Sequence, residues 1–342
     1  MNFTNRYGIE SLSIIDALMH DDYDQKDRPA NVYTCTEIID APKNKVLQMR
    51  HEKELVVDIA DRFWTFDGSA VHFAVEMSNK ENTGSRLSEE RLYLKISGDT
   101  VEAFGLSKGQ GITDAPWYDT ESVFVTVKFD HYSLEDETIE DYKRTSAWEV
   151  VFGLKKSRIE QLNIGALALR LIGFPVSKLR SVLILKNWEK KQRLQAVQKD
   201  GDNAKYPPIP YAEFEFTPAT IEDSIAFMVE RVKLHKAARA ILNDDNIPEC
   251  TPEERWYRGE GYAVMKTGVQ RAKKVFKVDG DYTSEMAQAA AGQYMSELMA
   301  ADSKGKYYVE HRPGVNTRCL EYCDCKQFCS FGRTLTEVTE EE

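Results

Sequence analysis

Asp141 and Lys143 stand two residues apart in "IEDYKRTSAW" (139–148), a run whose aromatic and β-branched residues predict a strand. Residues two apart on a strand share a face, so the carboxylate and the amine meet at one spot. Asp130 closes the preceding run, "VFVTVKFD" (123–130). A hairpin joining 123–132 to 138–148 would bring it beside Asp141. Two carboxylates and a lysine at adjoining strand ends are what metal-assisted phosphodiester cleavage needs. The acids offer oxygen ligands to Mg2+ or Mn2+, and the metal acidifies a bound water and neutralises phosphate charge. The lysine orients the attacking water or stabilises the transition state. The same spacing also serves an ordinary cross-strand ion pair.

Thiols form a second cluster. Cysteines occupy positions 35, 250, 319, 323, 325 and 329, four of them within "RCLEYCDCKQFCSF". In a reducing compartment clustered cysteines point to a metal rather than to disulfides. Thiolates at this spacing ligate zinc or an iron–sulfur cluster. Two sets of four compete: Cys319, Cys323, Cys325 and Cys329, which suits Zn2+, and Cys250, Cys319, Cys323 and Cys329, which leaves Cys325 aside.

The elements around these groups predict an α/β protein. Helical spacing covers 34–55, interrupted near Pro42, and 58–80, broken near Gly68. Strand patterns fill 90–132, with 98–122 looking like an insertion. An amphipathic helix spans 157–174, a buried-type strand 178–188, a polar loop 189–210, an alternating strand "YAEFEFT", and a long helix 218–242. The expected division is an N-terminal arm over 1–32, a core over 33–242, a less regular cysteine-rich cap over 243–333, and a disordered acidic tail over 334–342. The 342 residues are 42% hydrophobic, enough for one large domain or two modest ones, and the net charge of −11 disfavours indiscriminate nucleic-acid binding. Local basic stretches with aromatics remain: "LKNWEKKQR" with Lys186 and Lys190, and "MKTGVQRAKKVFK" with Arg271, Lys273 and Lys274. Such mixtures suit a groove that tracks a nucleic-acid backbone, and equally a solvated face. No run reaches the ~18 apolar residues of a membrane helix, and "MNFTNRYGIESLSII" does not read as a signal peptide. A cytoplasmic protein is expected.

Three blocks, taken in order, resemble the RecB-like branch of the PD-(D/E)XK nucleases. "GSAVHFAVE" (68–76) is similar to that branch's Gly-x-x-x-His helix, "DYKRTSAW" to its Asp-Tyr-Lys-Thr core with Arg144 inserted, and "QLNIGALAL" (161–169) to its Gln-x-x-x-Tyr helix. Gly165 stands where Tyr is usual, and Lys128 where a Gly is usual. The stretch "IPECTPEERWYRGEGYAVMK" with the cysteines after it resembles phage and prophage members, and the likeness covers roughly residues 33–331.

The resemblance implies a restriction-endonuclease-like core, a central mixed sheet flanked by helices. It implies His72, Asp130 and Asp141 as metal ligands, joined by the Tyr142 carbonyl, with Lys143 and Gln161 serving the attacking water. Glu90 sits where the branch often carries an acid, and Lys128 is placed beside the phosphate path. Cys250, Cys319, Cys323 and Cys329 would hold a [4Fe–4S] cluster like that of AddB, although Cys35 matches the usual position of the remote cysteine better. The implied activity is a Mg2+- or Mn2+-dependent deoxyribonuclease, by preference an exonuclease on single strands or duplex ends. Its setting would be phage recombination or replication, in the host cytoplasm, with a recombinase or annealing protein as partner. Two rival readings stay open: a nuclease fold that binds DNA or protein without cutting, and a zinc-stapled regulatory protein.

Overall fold

The computed structural model describes residues 2–19, 28–79, 85–106 and 110–335; the acidic tail beyond lies outside them. Two compact units emerge, one of residues 1–46 and 52–240 and one of 47–51 and 241–342. Both are mixed α/β. No described helix is long and apolar enough to cross a membrane.

The larger unit contains β1 (Asn2–Thr4), β2 (Val32–Thr34), β3 (Val56–Asp58), β4 (Arg86–Ser88), β5 (Arg91–Ser97), β6 (Thr100–Gly105), β7 (Val123–Lys128), β8 (His131–Ser133), β9 (Thr138–Thr145), β10 (Lys178–Leu185) and β11 (Tyr211–Phe216). β1 pairs in parallel with β3, which ties the N-terminal residues to the unit. The rest form two mixed sheets, ordered β2-β7-β5-β6 and β11-β10-β9-β8-β4. The chain steps directly from one sheet to the other between β4 and β5 and between β7 and β8. The expected long hairpin is therefore absent. β7 pairs with β5 and β2, and only His131–Ser133 faces β9. The break at Phe129–Asp130 follows from opposite demands on the chain: β7 is almost wholly buried and apolar, whereas Asp130 must turn its carboxylate toward polar partners.

The helix Lys156–Leu171 covers the sheets. Leu162, Leu167 and Leu169 are buried with Val125, Val127, Ile139 and Leu179, and Met228 and Val232 of the helix Ile221–Ala240 join them. Gly165 lies close against β9: a Cβ there would meet Ile139 Cδ1 at 2.7 Å and displace the end of that side chain. The helix Cys35–Ile39 starts on a Thr34 cap, a full capping box with Glu37.

Three sequence expectations are corrected. The helix Phe63–Asn79 runs unbroken through Gly68, since one interior glycine costs only about 1 kcal/mol. Residues 189–210 include a helix, Lys190–Asp200, with no buried residue. Its Lys, Gln, Arg and Ala content favours helix without an apolar stripe to announce it. The smaller unit is more regular than its sequence suggests. Its strands are β12 (Tyr257–Arg258), β13 (Gly261–Lys266), β14 (Lys274–Lys277), β15 (Tyr307–Arg312) and β16 (Val315–Asn316). β13, flanked by β14 and β15, packs on the helix Ser284–Ala301 around Tyr262, Val264, Ala287 and Ala291.

One buried ion pair fixes the end of β9. Glu149 receives Arg158 through Nε at 2.6 Å and Nη2 at 2.8 Å, and Thr145 donates its hydroxyl to the same carboxylate at 2.6 Å. The strand end is thereby clamped to the first turn of the Lys156–Leu171 helix. Replacing Glu149 by Ala strands a buried guanidinium. Equilibrium unfolding should report a loss of about 3–5 kcal/mol.

Candidate active site

β9 presents Asp141 and Lys143 on one face, as the alternation requires, and the Lys143 ammonium donates to Asp141 Oδ1. Asp141 is 3% exposed, and its other oxygen, Oδ2, is buried with no hydrogen-bond partner. A charged oxygen left this way is costly unless a cation or proton meets it.

Asp130 sits where the sheets part. Its Oδ2 accepts the Tyr142 backbone N–H at 2.7 Å, which fixes the carboxylate across the break. Its Oδ1 lies 3.6 Å from His72 Nδ1. His72 reaches the site from the helix Phe63–Asn79, its ring edge-on to Tyr142.

The third member is Glu89, which the sequence does not single out; its neighbour Glu90, the acid that the resemblance marks, is exposed. Glu89 turns inward, and its carboxylate, His72 and Asp130 offer ligand atoms that all lie within 4.8 Å of one another. Among the described residues no other group of three does so. Asp141, expected as a ligand, lies outside this trio. Glu89 occupies the chain's other crossing between sheets and takes φ +59°, a left-handed conformation costly for a side chain with a Cβ. Its backbone N–H donates to the Asp130 carbonyl at 3.2 Å. No pattern in "SEERLYL" distinguishes the two glutamates, because the inward turn comes from the sheet break. Lys128 ion-pairs with Glu89 rather than standing clear for a phosphate. Gln161 lines a small cavity with Asp130 and Asp141.

The electrostatics are those of a site short of positive charge. Burial, and then the Asp141 charge, push the Asp130 carboxyl up to about 7, with Lys143 and the Tyr142 N–H acting the other way. Burial and then Lys143 lower the His72 imidazole, which favours its neutral, ligating form. Cys35 lies beneath this face: burial raises its thiol, and Asp141 adds to the effect. Cys35 thus belongs with the carboxylates.

The other thiols gather in the smaller unit. Burial pushes Cys250 up to about 12, followed by Glu254 and by Cys329 and Cys319, with Arg318 opposing. Burial also raises Cys319, aided by Cys323 and Cys329 and opposed by Arg255 and Arg318. Burial raises Cys323 too; the Cys325 N–H and Arg318 lower it, and Cys329 raises it. Four thiols therefore feel one another, with two arginines beside them. Cys325 is fully buried, and its backbone N–H bonds the Cys323 sulfur. No three described sulfurs lie within 4.8 Å of one another.

Of the basic residues expected to meet nucleic acid, Lys186 and Lys190 are exposed on the larger unit. Arg271, Lys273 and Lys274 are exposed on the smaller one, where Lys274 stands 4.7 Å over Phe276 and 5.2 Å over Tyr294.

No family model matches this chain, and no curated protein matches it. Among solved structures, one titled "Crystal structure of SSO0001" is similar with a TM-score of 0.38 and 16% identity, over 65% of this chain and 82% of that one. A likeness that slight bears on neither fold nor function.

Two outcomes test the site. Glu89→Gln should weaken Mn2+ binding, measured by titration calorimetry, by at least the ~10-fold that loss of an outer-shell partner costs, whereas Glu90→Gln should not. The raised Asp130 carboxyl means that the folded state holds a proton the unfolded chain releases. Its contribution is complete below the ordinary carboxylate range and fades as pH rises toward about 7. Metal-free wild type should lose thermal stability across that window, and Asp130→Asn should flatten the slope.

Proposed function

We propose that this protein is a metal-dependent deoxyribonuclease of the PD-(D/E)XK type, with a RecB-like site and an iron–sulfur cap. The observation that carries the reading is the His72–Glu89–Asp130 trio together with the orphaned, buried Asp141 Oδ2: ligand atoms converge in a region short of positive charge, where a cation would offset the carboxylates. Imidazole with two carboxylates suits Mn2+ as well as Mg2+. When bound, the cation supplies charge neutralisation at a phosphodiester and a more acidic water.

The chain's own groups do the rest. Asp141 accepts from the Lys143 ammonium and so positions it, and in this reading Lys143 orients the attacking water or steadies a phosphate oxygen. Gln161, which lines a small cavity with Asp130 and Asp141, can offer that water its side-chain amide. The Tyr142 N–H holds Asp130 in register, and the Glu149–Arg158 clamp keeps the Gln161 helix seated against β9.

In this reading Cys250, Cys319, Cys323 and Cys329 hold a four-iron cluster, one thiolate per iron corner. Arg255 and Arg318 would balance its charge. A setting in phage DNA recombination, with an annealing protein or recombinase as partner, belongs to this reading by resemblance alone.

End-labelled linear and circular DNA, single- and double-stranded, incubated with Mn2+ or Mg2+, tests the activity. Wild type should degrade DNA, and Lys143→Ala should be slower by roughly 10²–10³-fold. If both are folded and metallated and neither cuts any substrate, the chain is a binding module. Anaerobically purified wild type should absorb broadly near about 400 nm. Cys250→Ser should lose that band and Cys325→Ser keep it; a colourless protein with stoichiometric zinc would replace the cluster.

A further inference from the structure

Just past Lys143, the larger unit carries exposed aromatic rings among cations that the cleavage chemistry does not use. β9 and β10 are parallel neighbours that end together, with Thr145 opposite Leu185 and the Lys186 N–H donating to the Thr145 carbonyl at 2.8 Å. At that end Trp64, 66% exposed, lies under the Lys186 ammonium at 3.5 Å from the ring centre. Trp148 and Phe152, 42% and 81% exposed, stack on each other with centroids 5.9 Å apart. Ala147, beside Trp148, donates its N–H to the Asn187 side chain at 2.7 Å, so this pair belongs to the same strand ends. Arg144 and Lys155 both bear electrostatically on Lys186, and Asp67 is the acid among them, paired with Arg144 at 3.0 Å. Lys186, Arg144 and Lys155 thus cluster at this end, with Asp67 against Arg144.

We propose that this ledge binds unpaired nucleotides, with bases stacked on Trp64 and on the Trp148–Phe152 pair and phosphates drawn to Lys186, Lys155 and Arg144. The inference rests on the nuclease reading and gives it a substrate class: single-stranded DNA. Three features select that occupant. The charge is complementary to a phosphate chain, unlike the protein's net −11. Flat rings set among cations bind bases without needing their sequence; a duplex keeps its base faces stacked inside and cannot offer them. The ledge is also continuous with the site. Trp64 and His72 are eight residues apart, about 12 Å along their helix, within the reach of two nucleotides. Trp64 and His72 share one helix, so the ring that stacks a base and the imidazole at the carboxylates are positioned by the same element.

The test is binding without cleavage, measured by fluorescence anisotropy of a labelled oligothymidylate and of a blunt duplex, with full-length protein in chelator at low salt. The single strand should bind at least tenfold tighter than the duplex. Trp64→Ala and Trp148→Ala should each weaken it roughly tenfold, the scale of one lost base stack, while Trp64→Phe retains most of it. Both tryptophans are exposed, and melting curves on each variant verify folding. Equal affinity for the two DNA forms, or unchanged binding in both alanine variants, overturns the proposal even if wild type cuts DNA. Loss of binding that coincides with loss of a dimer on size exclusion also overturns it, since the rings then pair copies of this chain. Tight, tryptophan-dependent single-strand binding by a protein that cuts nothing upholds the ledge and fails the nuclease reading alone.

Discussion

Everything at the carboxylate site depends on one constraint: the chain must leave one sheet and enter another at Phe129–Asp130 while burying a carboxylate at the step. The Tyr142 N–H solves half of it, meeting Asp130 Oδ2 at 2.7 Å. The other half is charge. Glu89, Asp130 and Asp141 crowd a region where Lys143 and Lys128 are both already engaged with a carboxylate. The neutral form of His72 adds no compensation. A buried anion unbalanced by a partner keeps its proton or takes a cation, and the raised Asp130 carboxyl is the first of those two responses.

The second crossing between the sheets supplies Glu89, and its strained φ shows how tightly the break determines the backbone there. A left-handed residue without glycine's freedom persists only when its surroundings over-determine it. Here the Glu89 N–H bonds the Asp130 carbonyl, and the Glu89 carboxylate pairs with Lys128. The two crossings hold each other. Around them the Lys156–Leu171 helix packs Gly165 against Ile139 and grips Glu149 through Arg158. Close packing and a buried ion pair thus place the surface that Gln161 shares with the carboxylates.

The smaller unit has its own apolar core around β13 and the helix Ser284–Ala301. Its thiols are therefore not a substitute for a missing core. They gather instead with Arg255 and Arg318, and with Glu254 beside Cys250. The stack of His51 on Phe328, with centroids 3.8 Å apart, and Arg255 over Phe331 at 4.2 Å hold the segment that carries Cys329.

Much of the site is legible in the amino-acid chain alone. The two-residue period of a strand by itself puts Asp141 and Lys143 on one face, and the Thr34–Glu37 spacing marks a helix start, because both are local geometry. Four cysteines in eleven residues announce shared chemistry for the same reason. Other features are not legible there. Whether Glu89 or Glu90 faces inward depends on where a sheet breaks. Whether Lys128 meets a phosphate depends on which carboxylate turns toward it. Whether Gly165 lacks a contact or makes one depends on the distance to a strand residue 26 positions earlier in the sequence. The polar helix Lys190–Asp200 carries no apolar period to read. Residue order alone establishes which residue types can meet and on which face of their own element. Which of them share a buried, charge-deficient space is settled by the folded sheets, because burial and pairing are properties of the assembly and not of any one strand.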